Sequence, residues 1–197
     1  MVLFPAHDPL RSARNLATGR VGRRRSAAAD ASRGPRHGAD ALTGATLTVG
    51  PVSIPAEIDR PEIVVSTSPN QVQLDEFNRW ASPLQNNMAC VIAENLVAML
   101  GTPRVTLFPQ TLSSDADYRV AIEVQIFSST PGEAAVLDAV WTVRRAKDGR
   151  TATRRTSVHE AVRRTGYDAL AAAHSRALAR LSRDITDAVR ALDRSGQ

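Results

Sequence analysis

The stretch "YRVAIEVQIFSSTPGEAAVLDAVWTVRRAKDGRTATRRTSVHEAV", residues 118–162, decides the fold, because its apolar residues recur every second position instead of every third or fourth. In an extended chain successive side chains point to opposite faces, so this period places Tyr118, Val120, Ile122, Val124 and Ile126 together. Arg119, Glu123 and Gln125 take the other face. Thr130-Pro131-Gly132 then turns the chain, and Leu137, Ala139, Trp141 and Val143 line a second strand. "KDGR" at 147–150 carries an Asp-Gly hairpin signal, after which "TATRRTSVHEAV" returns. The reading is a three-strand antiparallel meander.

Outward from the meander the period changes to that of a helix. On the C-terminal side Tyr167, Leu170, His174, Leu178, Leu181, Ile185, Val189 and Leu192 form one apolar stripe, with Thr165 as expected N-cap and Asp168 three residues on. On the N-terminal side "SPLQNNMACVIAENLVAML" predicts a second helix. Ser82 would cap it, Pro83 would take the first helical position, and Gln85 would complete a capping box. Leu84, Met88, Val91, Ile92, Leu96, Met99 and Leu100 mark its buried face, and Gly101 followed by Pro103 marks its end. Cys90 falls inside this pattern and reads as a small core residue, with nothing nearby to activate its thiol.

Further upstream, "TLTVGPVSIP" (46–55) reads as a strand with a bulge or an edge position at Gly50-Pro51. "EIVVSTSPNQVQLD" (62–75) reads as a hairpin turning at Ser68-Pro69-Asn70, and "RVTLFP" (104–109) as a short strand. Together these elements predict an α/β fold: a mixed, largely antiparallel sheet covered by two long helices.

The charge is unevenly placed. Of the formal +5, all lies in residues 1–45, where eight arginines face three aspartates, and the remaining 17 basic and 17 acidic residues cancel. Residues 1–45, rich in Arg, Ala and Gly, bury too little apolar surface to offset ordering and are expected to be a disordered leader ahead of a folded domain at 46–194. The leader's start is a poor secretory signal, and 24 of the 25 basic residues are arginine, so a wrong start or out-of-frame reading is the expectation for it. The tail lacks the interleaved aromatics that stack bases, which disfavours the alternative reading as a small basic-tailed nucleic-acid or anion-binding protein.

Sequence motifs for catalysis are missing: there is no phosphate loop, nucleophile elbow, zinc-protease motif or dinucleotide fingerprint. His159 and Glu160 alternate on a strand and cannot act as a couple, His174 reads as a core histidine, and Asp115 and Asp117 as solvated turn residues. No enzyme activity, cofactor or metal is expected. Trp80, just before the first helix, reads either as a packed lid or as an exposed anchor for a partner.

"VGPVSIPAEIDRPEIVV" (49–65) followed by "LDEFNRWASPLQNNMACVIAENLVAML" (74–100) resembles the ABC-type transport auxiliary lipoproteins, the paraquat-inducible protein C group. The most distinctive parts are Asp59-Arg60-Pro61 and Arg79-Trp80-Ala81-x-Pro83-Leu84. The resemblance implies a non-enzymatic subunit of an intermembrane lipid-transport system. Its expected partners are an MCE-domain protein and associated transporter subunits, with a homo-oligomer as a further option. It also implies a periplasmic, outer-membrane-associated location through a lipid anchor, although residues 1–45 contain no cysteine to carry one. Asp59, Arg60, Arg79 and Trp80 are the candidate partner contacts.

Overall fold

A computed structural model describes residues 42, 44–68, 71–80, 82–109, 115–164 and 166–195. The expectation of a disordered leader therefore lies almost wholly outside the described residues. Among the described residues nine elements follow one another: β1 (Leu47–Ser53), β2 (Glu62–Ser68), β3 (Gln71–Arg79), α1 (Leu84–Leu100), β4 (Val105–Leu107), β5 (Tyr118–Thr130), β6 (Ala134–Arg145), β7 (Thr151–Ala161) and α2 (Tyr167–Arg194). Five strands form a mixed sheet in the order β4-β1-β5-β6-β7, and β2 pairs with β3 as a separate hairpin. The α/β class, with two helices against the sheet, is as the sequence predicts.

The β5–β6–β7 meander is antiparallel throughout. Gly132 and Gly149 supply the left-handed turn residues, with φ of 75° and 71°. Strict alternation fails at one point. The register shifts between Val124 and Ile126, so Gln125 is the extra residue of a bulge. Ile126, expected inside, is consequently 45% exposed, and Phe127 enters the core in its place.

β1 runs parallel to both neighbours, pairing with β4 and β5, so it is an interior strand and not an edge. The bulge half of that expectation is correct, since the register shifts between Val49 and Val52. Gly50 sits there with φ 124°, and a Cβ added to it would lie 2.9 Å from Cβ of Phe108. Both the backbone angle and the close neighbour therefore call for glycine. Asp117 ties the start of β5 to β1: its Oδ2 accepts from the backbone N–H and hydroxyl of Thr46, both at 2.8 Å.

Both helices cover one face of the sheet, α1 over β1 and β4, α2 over β5, β6 and β7, and they pack on each other. α1 buries Leu84, Met88, Ile92, Ala93, Leu96 and Leu100 and ends at Gly101, whose φ is 70° and whose N–H bonds to Val97. Its expected capping box does not form. Pro83 is the N-cap residue and no side chain caps the helix, because the Gln85 amide instead donates to the carbonyl of Val52. Cys90 is exposed, not core: it lies two positions past Met88, on the flank turned away from the sheet.

α2 is the main brace. Leu170, His174, Leu178, Leu181, Ile185, Val189 and Leu192 are all buried, as the stripe predicts. Its expected cap Thr165 lies outside the described residues, and Gly166 occupies the N-cap position without a side-chain cap. Polar links fix its register on the sheet. The Trp141 indole N–H donates to the Thr156 hydroxyl at 2.9 Å, and that hydroxyl donates to Asp184 at 2.8 Å. Near the other end Tyr118 donates to Asp193 at 3.0 Å, and Arg145 donates to the carbonyl of Leu192 while pairing with Asp148.

Candidate functional site

The loop after β1 makes a turn in which the N–H of Ile58 bonds to Pro55 and that of Arg60 to Ile58. Asp59, Arg60 and Pro61 follow, all exposed. The chain then enters β2, whose partner β3 ends at Arg79. Here the hairpin closes on the same loop: the N–H of Trp80 donates to the carbonyl of Pro61 at 2.9 Å, and Arg79 pairs with Glu62 at 3.3 Å. The two most distinctive sequence segments are thus brought together at the base of one hairpin.

Glu62 is a member of this cluster that sequence reading missed. Continuing the register of Ile63–Ser66, which pairs with Asp75–Val72, would set Glu62 opposite Glu76. The observed irregularity between Glu62 and Ile63 sets it opposite Arg79 instead, replacing an acid–acid pairing with an ion pair. The Arg79 side chain is 62% exposed, so the pair is a surface feature of small energetic weight whose guanidinium still faces solvent.

Trp80 behaves differently from its three neighbours. Only 8% of it is exposed, and its ring lies 6.1 Å from that of Phe127 and 6.4 Å, edge-on, from that of His174. Phe127 and His174 stack at 4.0 Å. Ile63 and Val65 of β2 join the same core, so the indole bolts the hairpin onto the end of β5 and the start of α2. His174 is wholly buried, with Nε2 2.7 Å from the Ser129 hydroxyl and Nδ1 without a hydrogen-bond partner. Burial pushes its pKa down to about 3, so it is neutral at physiological pH.

The remaining candidates fall apart in space or in role. His159 is exposed on β7, whereas His174 is enclosed by α2. Asp117 spends its carboxylate on Thr46. Among the described residues no three His, Cys, Asp or Glu side chains gather in a way that could hold a metal ion, and no helix is long and apolar enough to cross a membrane. What the hairpin base can do is present carboxylate and guanidinium groups side by side above a buried indole, an arrangement suited to recognition.

The family model described as the ABC-type transport auxiliary lipoprotein component matches residues 27–186. The chain belongs to this family. The match spans α1, the whole sheet and α2 as far as residue 186, and it begins inside the arginine-rich leader, upstream of the boundary at residue 46 read from composition. Two solved structures share the fold of this auxiliary-component family member. One is an uncharacterised protein with 24% identity and a TM-score of 0.65, the alignment covering 76% of this chain and 95% of that one. The other is a Xanthomonas campestris protein with 23% identity and a TM-score of 0.62, covering 79% and 90% respectively. No curated protein matches the chain.

Proposed function

We propose that this member of the transport auxiliary family is a non-enzymatic docking subunit of an MCE- and ABC-type lipid-transport system, holding protein partners at the outer membrane. The observation that carries this reading is the convergence of Asp59, Arg60 and Arg79 on one exposed hairpin base, backed by the buried Trp80. A docking surface needs charged groups that stay put, because ordering mobile side chains on binding costs free energy. The Pro61–Trp80 hydrogen bond and the buried Trp80 ring supply that order to the backbone before any partner arrives. In this role Asp59, Arg60 and Arg79 touch the partner, and Trp80 holds the surface from beneath.

Family membership supports association with transporter subunits. An electrically balanced body from Thr46 onward suits contact by shape and local charge pairing in preference to bulk attraction. The test is photo-crosslinking in the native host, with a photoreactive amino acid at position 60 or 79 and mass spectrometry of the adducts. The expected adduct is an MCE-domain protein or a transporter subunit from both positions. Adducts only to nucleic acid, or to proteins outside any transport system, would overturn the reading.

A further inference from the structure

A second feature lies at the first turns of α2. The end of β7, the loop after it and the start of α2 enclose a groove of about 470 Å³, within the range of small-ligand sites. Arg163, Arg164 and Arg176 face it together with Glu160, and the methyl groups of Ala161, Ala169 and Ala172 line the rest. Three guanidinium groups therefore share the groove with one carboxylate. That carboxylate is already engaged: Arg176 Nε donates to Glu160 Oε2 at 2.9 Å, and its Nη2 donates to the carbonyl of Ala161 at 3.0 Å.

These two bonds fix the plane of the Arg176 guanidinium. Arg163 and Arg164 make no ion pair or side-chain hydrogen bond among the described residues, so the groove keeps a net positive charge of about two with unspent planar donors. α2 adds to the field, because its N-terminus opens beside the groove and carries no side-chain cap. Asp168 is the one acid of the first turn, and it does not line the groove. The alanines matter as much as the charge, since small side chains leave room for a ligand with an uncharged portion next to its anionic group.

We propose that this groove binds a phosphate ester, with Arg163 and Arg164 clasping the phosphate oxygens, Arg176 completing the cradle, and the Ala161–Ala169–Ala172 floor accommodating the organic part. Guanidinium pairs match phosphate oxygens in geometry as well as charge, and a phosphate offers more acceptor oxygens than a carboxylate to satisfy three of them. The phosphate could come from a phospholipid headgroup or from a soluble ester, and both share this chemistry. The groove shares no lining residue with the hairpin base, so substitutions at the two can be made separately.

The test follows backbone amide shifts of Ala161, Ala169 and Ala172 by NMR in the full chain, a readout local to the groove. Glycerol 3-phosphate is titrated first, then inorganic phosphate, then detergent micelles containing phosphatidylglycerol or phosphatidylcholine. The pocket variant is Arg163→Gln/Arg164→Gln, and the control is Arg144→Gln/Arg183→Gln, which removes equal charge from exposed positions elsewhere. Saturable shifts with glycerol 3-phosphate, weakened roughly tenfold or more in the pocket variant and less than about twofold in the control, are expected. Shifts with phosphatidylglycerol micelles alone, lost in the same variant, also support the site and assign it to the headgroup. Equal weakening in both variants, equal binding of inorganic phosphate and the ester, or no shift at these three amides with any probe would overturn it.

Discussion

His174 sits where a single proton has the largest leverage on this fold. Its folded-state pKa of about 3 lies below the ordinary value of 6.5, so between these values the unfolded chain binds a proton that the folded chain refuses. Stability should therefore fall as pH drops from about 6.5 toward 3, by about 1.4 kcal/mol per pH unit, and level off below. Chemical denaturation of the native chain and of His174→Leu between pH 7 and 4.5 checks this: the native curve should slope and the variant's should be nearly flat, whereas parallel curves would contradict it. Cys90 tests burial at the same scale. Being exposed on α1, it should react with a maleimide in native buffer as readily as in denaturant, and a thiol protected until unfolding would contradict the placement. The helical stripe identified His174 as core from sequence, whereas only its apolar character suggested the same for Cys90: two positions past Met88 it lies about 200° round the helix, away from the face that the same spacing defines.

At the scale of elements, the strands and helices were legible because their periods are long and clean, and the departures were not because each involves one residue. The bulge at Gln125 swaps Ile126 for Phe127, and Phe127 is the residue that builds the aromatic cluster with Trp80 and His174. Nothing in an alternating run announces an inserted residue, since the cost and gain are set by the strand opposite and the helix above. The bulge in β1 was more visible because glycine marks it. Gly50→Ala should destabilise the protein by about 2 kcal/mol or more, through the positive φ and the contact with Phe108, as read by urea denaturation, while Gly149→Ala, whose Cβ would meet nothing, should cost less. The seat of α2 is equally specific. Thr156→Val keeps the shape but strips the hydroxyl that joins Trp141 to Asp184, leaving the buried indole N–H without its partner while Asp184 keeps Arg180, for an expected loss of about 1–3 kcal/mol. An unchanged unfolding midpoint would show that the link carries no weight.

For the molecule as a whole, the mixed sheet buries one face under two helices and leaves the hairpin base as a braced, charged outpost. The four candidate residues could be named from their sequence segments, but their meeting in space could not, since it depends on the irregular closing register that pairs Glu62 with Arg79. The groove of Arg163, Arg164 and Arg176 was invisible for a related reason: the first two follow a strand end, where charge usually means only solvation, and the third joins them only through the packing of α2 on β7. Within the family, the docking account makes Arg60 and Arg79 the residues that meet the partner and Trp80 the one that cannot be removed without disturbing the core. The most direct test is the dissociation constant between the full chain and the proposed MCE-domain partner, measured for the native protein and for Arg60→Glu/Arg79→Gln, with the unfolding midpoint of each recorded alongside. The account predicts at least roughly tenfold weaker binding at an essentially unaltered midpoint, because both side chains are exposed, the Glu62–Arg79 pair is of small energetic weight, and removing positive charge at a contact opposes association. Equal affinity of the two proteins would contradict it.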